Sequence, residues 1–186
     1  MKGYLVTYRP ESEWNYLGFN GGSGEEIWPY LEEWNARSRQ SPIKLENDIC
    51  PMQYLHWVAP YYHFLRKAFP ANKIHLIFIH DLLNDFKVAN FEFIGYDCGY
   101  LLDEGNPILF SCIWNELFRK EVNALLLPYQ QKMNAFGLFS EVADALEFEG
   151  VRNDAVTNGK QDFIETAFDD FRIVPVYLYN EDSIML

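Results

Sequence analysis

FEFIGYDCGY, Phe91–Tyr100, is the stretch on which the reading of this chain turns. Its first residues alternate as a strand does, with Phe91 and Phe93 on one side. Gly95 and Gly99 then bracket Tyr-Asp-Cys, and glycine is the residue that tolerates the backbone of a sharp turn. Four roles suit such a break: a nucleophile turn, a metal corner, a binding surface, or a plain strand end. The pattern predicts strand core at Phe91, Phe93 and Ile94, then a turn presenting Tyr96, Asp97 and Tyr100 to solvent.

Upstream, Ile74–Ile79 is a dense apolar run bounded by PANK, Pro70–Lys73, and is read as a buried strand. Before it, Leu55, Val58, Tyr62, Leu65 and Phe69 recur at helical spacing, with Pro51 as first helical residue and a kink expected at Pro60. Ile27, Trp28, Leu31 and Trp34 mark an earlier helix, which Pro29 places near Trp28, and Tyr4–Tyr8 reads as a short strand. Downstream, Ser111 is read as the cap of a long helix, and Gly137 as the residue after a helix end. From Ser140 an acidic helix should bury Val142, Ala145 and Leu146, turn Asp144 and Glu147 outward, and stop at Gly150. A last strand spans Phe171–Tyr179, and Pro175 within it argues for an edge or a bulge. Together these predict an α+β fold: a single helix-rich domain, 1–186, with a small mixed or antiparallel sheet.

Charge narrows the partners. The formal net charge is −12, unevenly spread. Residues 1–90 hold 9 Lys/Arg against 10 Asp/Glu, whereas residues 91–186 hold 6 against 17. Such a surface repels phosphate backbones and anionic lipid, so neither nucleic acid nor membrane is expected as a partner. A basic protein would be attracted and steered instead. The three cysteines form no CxxC pair and, with no signal peptide in MKGYLVTYRPESEW, point to free thiols and a cytoplasmic protein.

The sequence carries few catalytic motifs. GFNGGSGEE, Gly18–Glu26, has the glycines of a phosphate loop but no lysine, and its Glu25 and Glu26 sit where phosphate would. His80-Asp81 is similar to the metal-binding pair of a phosphohydrolase family, which makes a metal-dependent hydrolase the enzyme alternative. The ordinary alternative is a histidine ending one strand and an aspartate starting a turn. Cys98 lies among Asp97, Asp103 and Glu104, a setting that opposes the thiolate a nucleophile needs. The carboxylate pairs Glu147/Glu149 and Asp169/Asp170 have nothing to split their pKa values. No catalytic residue, metal ligand or cofactor is therefore assigned, and the chain is expected not to be an enzyme.

One set of short motifs adds to this. Gly95-Tyr96-Asp97 at a strand end, Ser111 before SCIWNELF, Asn134, and Gly137-Leu138-Phe139 before EVADAL resemble small bacterial immunity proteins of polymorphic or contact-dependent toxin systems. The likeness covers about a quarter of the chain. It implies an inhibitor that binds a cognate, basic toxin domain and needs a complementary surface rather than an active site. On that reading the contact residues are acidic and aromatic: Tyr96, Asp97, Tyr100, Asp103 and Glu104 on the opening stretch, and Glu141, Asp144 and Glu147 on the acidic helix. An adaptor domain unrelated to toxins is the remaining alternative.

Overall fold

A computed structural model describes residues 2–8, 28–37, 55–70, 73–80, 83, 87–102, 108–111, 127–157 and 171–181. Strands β1 (Lys2–Tyr8), β2 (Ile74–His80), β3 (Phe91–Leu102), β4 (Ile108–Ser111) and β5 (Phe171–Tyr179) form one sheet in the order β1-β2-β5-β3-β4. Every neighbouring pair is antiparallel. Helices α1 (Trp28–Arg37), α2 (Leu55–Ala68) and α3 (Val142–Thr157), with a 3-10 turn at Leu127–Lys132, complete the described elements. The chain is α+β with an antiparallel sheet, as the segment pattern predicts.

β2 shows why its sequence is a run rather than an alternation. Every residue from Leu76 to His80 is buried, so both faces of the strand are covered. On one face α2 lays down Val58, Tyr61, Tyr62 and Leu65, the i, i+3, i+4, i+7 stripe of a core-facing helix, against Val6, Ile74 and Leu76. α1 adds Tyr30, 4.8 Å from the Phe69 ring, and Trp34, 5.4 Å from that of Phe64. On the other face Ile77, Ile79, Ile94, Val174 and Val176 pack together with Leu138. α2 runs through Pro60, and α1 begins at Trp28 as Pro29 requires.

The strand end at FEFIGYDCGY and the helix stop at Gly150 need correction. FEFIGYDCGY is not a strand end, because β3 continues to Leu102. The glycine break is a β-bulge between Phe93 and Gly95, where two residues of β3 oppose one step of β5. Pro175 lies in the central strand, beside the bulge rather than at an edge, one of the two placements its position in the sequence allows. It sits opposite Tyr96, whose N–H and C=O both turn away to Phe139, and one residue beyond Val176, the last β5 residue paired with β2. The missing N–H of proline therefore falls at a position where no ladder bond is drawn on. Ser111 closes β4; the helix expected after it lies outside the described residues. Finally, α3 does not stop at Gly150 but continues to Thr157.

Candidate functional site

The bulge is built around Asn134. Its side-chain amide donates to Ile94 O at 2.6 Å, while its Oδ1 accepts from the N–H of Phe136 at 2.9 Å and of Leu138 at 3.3 Å. That is the side-chain-to-backbone pattern by which asparagine organises a turn. Gly137 closes the turn with φ 70°, donating to Asn134 O at 2.9 Å. Phe139 then forms a two-way bridge with Tyr96, each N–H to the other's C=O at 2.9 Å. Gly95, at φ 140°, lies so close beneath this loop that a Cβ would meet Leu138 Cβ at 2.7 Å and Phe139 O at 2.9 Å. Gly95-Tyr96 and Asn134…Gly137-Leu138-Phe139, the short motifs singled out in the sequence, are thus two halves of one joint.

The joint has two consequences for side chains. Phe93 and Tyr96, three residues apart, would face opposite ways on a regular strand; the bulge puts them on one face, rings 4.9 Å apart and T-shaped. Phe93 also meets Tyr177 at 5.5 Å and is 41% exposed, so this aromatic cluster reaches the surface. On the other side of the joint, Phe139 packs on Phe148 of α3 at 5.5 Å, and Tyr129 stands edge-on to both rings.

α3 presents the second candidate surface. Ala145 and Phe148 are buried, but Leu146 is 45% and Val151 37% exposed. Leu146 is therefore not a core residue as its place in the apolar pattern suggested. Ala143, Leu146, Glu147, Gly150, Val151 and Asp154 fall at i, i+3, i+4, i+7, i+8 and i+11 and are all exposed: a continuous outward face of the helix. Gly150 stands bare in the middle of it, since nothing lies within 4 Å of where its Cβ would be. Sequence reasoning missed Leu146 and Val151 as surface groups. The signal for them is apolar residues falling on both sides of the helix, more than one buried stripe needs.

The predicted contact residues divide accordingly. Tyr96 is half-buried and Glu141 and Glu147 are exposed. Asp144 is half-buried and tied down: Lys132 Nζ lies 2.8 Å from its Oδ1 and 3.1 Å from Glu147 Oε2. Tyr129 donates its hydroxyl to Glu147 Oε1 at 3.2 Å, and burial followed by that carboxylate pushes its pKa up. The two carboxylates in turn raise the pKa of Lys132. Asp97 has no exposed surface, and its Oδ1 accepts the Cys98 N–H at 2.7 Å. It belongs to the interior of β3 and is withdrawn from the free surface, because the strand continues where a turn was expected. Tyr100 pairs with Phe110 and Phe171 across the ladder; its side chain, like Asp103 and Glu104, lies outside the described residues.

Cys98 is a buried free thiol. His80 is buried at the end of β2, Asp81 lies outside the described residues, and no group of three His, Cys, Asp or Glu among the described residues could hold a metal ion. No described helix is long and apolar enough to cross a membrane. No family model, curated protein or solved structure matches this chain.

Proposed function

We propose that this is a non-catalytic immunity or inhibitor protein that binds and neutralises a basic toxin domain, with the outward face of α3 at the centre of contact. The observation that carries the reading is that face: two exposed apolar side chains, Leu146 and Val151, among the carboxylates Glu147 and Asp154, with Glu141 exposed just before the helix. Apolar anchors inside a charged surround are the arrangement of a protein-binding patch, the anchors supplying affinity and the charges orientation and on-rate. The net charge of −12 makes the complement basic. Bare Gly150 permits close approach of a partner backbone at the middle of the patch. The Phe93–Tyr96 aromatic pair offers a further anchor on β3.

Co-expression with the product of the adjacent gene, followed by pulldown and a growth assay, tests this. A stable complex and rescue of growth are expected. Absence of both would sink the proposal, and a complex left intact by Leu146→Arg/Val151→Arg would move the patch elsewhere.

A further inference from the structure

At the end of the sheet where β2 and β3 begin and β5 finishes lies a cleft of about 390 Å³. That is within the range of small-molecule sites, roughly 300–1,000 Å³. One wall is α2, and two side chains from its last turns, Arg66 and His63, converge on a single carboxylate, that of Glu181. Arg66 Nη2 lies 3.3 Å from Glu181 Oε2 and His63 Nδ1 lies 3.8 Å from Oε1, with Tyr62 lining the same cleft. Positions 62, 63 and 66 share one side of a helix, so the grouping is built into one rigid element.

None of these contacts is close to ideal. A guanidinium–carboxylate pair usually forms two parallel bonds at 2.7–2.9 Å. Here Arg66 makes one long bond, and its Nε and Nη1 are buried with no hydrogen-bond partner. Its guanidinium carbon lies 5.8 Å from the centre of the Tyr62 ring, which keeps it over the cleft wall. Glu181 itself stands two residues beyond the end of β5, just past Asn180, whose N–H donates to Asn90 O at 2.8 Å. It fills the position of an oxyanion without the geometry of one. Beside it the cleft offers ring and apolar wall from Tyr179, Leu178 and Ile74, room for the organic part of a ligand.

We propose that His63 and Arg66, beside the Tyr62 ring, form a binding site for a small oxyanion, a phosphate or carboxylate group on a small molecule, which Glu181 occupies in cis. The ligand exchanges with Glu181 for the same donors. The site is independent of α3 and stands or falls apart from the toxin reading.

The test is titration of inorganic phosphate and, separately, of succinate, at constant ionic strength made up with chloride, into the whole protein and its variants. Calorimetry gives affinity, and amide NMR shifts report the Asn180–Glu181 backbone. Glu181→Ala should bind one of the two anions roughly three- to ten-fold more tightly than the parent, the span expected when a partly exposed ion pair no longer competes. Glu181→Gln, which keeps the side chain's bulk and one acceptor, should show a smaller gain in the same direction. Adding Arg66→Met to Glu181→Gln should remove the gain. Phosphate preferred over succinate assigns a phosphorylated ligand, and the reverse a carboxylate. No gain in either Glu181 variant, or a gain that survives Arg66→Met, overturns the proposal.

Discussion

Replacing Gly95 with alanine tests the joint between β3 and the loop of residues 134–139 more directly than any other change. Two costs arise together. The added methyl would stand 2.7 Å from Leu138 Cβ and 2.9 Å from both Asn134 Nδ2 and Phe139 O. Two of those three neighbours cannot swing aside: one is a buried core atom and the other a bridge carbonyl. Overpacking of this kind costs about 1–3 kcal/mol. The backbone at φ 140° adds a second cost, about 1–3 kcal/mol for a residue held where only glycine sits easily. The loop cannot retreat cheaply either, because moving it breaks the Asn134–Ile94 bond and the two-way Tyr96–Phe139 bridge. A loss of about 3 kcal/mol or more is expected. For a chain of this size that corresponds to a Tm lower by roughly 6–12 °C. Urea unfolding followed by tryptophan fluorescence and far-UV circular dichroism measures it. Gly150→Ala is the internal control. It meets nothing within 4 Å and sits inside α3, where alanine is favoured over glycine by about 1 kcal/mol, so it should be neutral or stabilising. If Gly95→Ala costs under 1 kcal/mol, or no more than Gly150→Ala, the joint does not hold the bulge and the reasoning fails.

Asp97→Ala should lower stability by about 2 kcal/mol, since it strips the Cys98 N–H of a buried acceptor, yet leave partner affinity unchanged when both are measured on the same preparation. Leu146→Arg with Val151→Arg should weaken a purified complex at least ten-fold, about 1.4 kcal/mol, while the unfolding free energy stays within about 0.5 kcal/mol of the parent. Burial raises the pKa of Glu149, with Arg152 opposing, so the folded chain holds that proton more tightly than the unfolded one. Stability contributed by this group is therefore full below the unfolded pKa and falls as pH rises through the folded one. Glu149→Gln should flatten the decline in urea midpoint above the ordinary carboxylate range; an unchanged slope would count against it.

Much of the fold could be read locally. The final strand appears at its predicted bounds, the Ile74 run is a buried strand, and proline placed the start of α1, because those signals depend only on neighbouring residues. What failed depended on segments distant in sequence. Gly95 looks like a strand terminator until Asn134, forty residues on, supplies a partner for Ile94 O and turns a break into a bulge. Asp97 was placed on the surface for the same reason. Pro175 argues against a central strand only while Tyr96 is assumed to need it as a bonding partner. The outward face of α3 is half legible: Glu141 and Glu147 follow from the acidic pattern, whereas Leu146 reads as core because an apolar residue on a helix is buried by default.

The order β1-β2-β5-β3-β4 also sets a timetable for synthesis. Of the five described strands, the one that joins the two halves of the sheet is the last to be synthesised. Until Phe171–Tyr179 emerges, β1 with β2 and β3 with β4 are two separate ladders, each with an open inner edge carrying Ile77, Ile79 and Ile94. Open apolar edges of that kind invite pairing with other chains. A nascent or prematurely terminated chain would therefore be the species most in need of a chaperone, and the one most prone to aggregate.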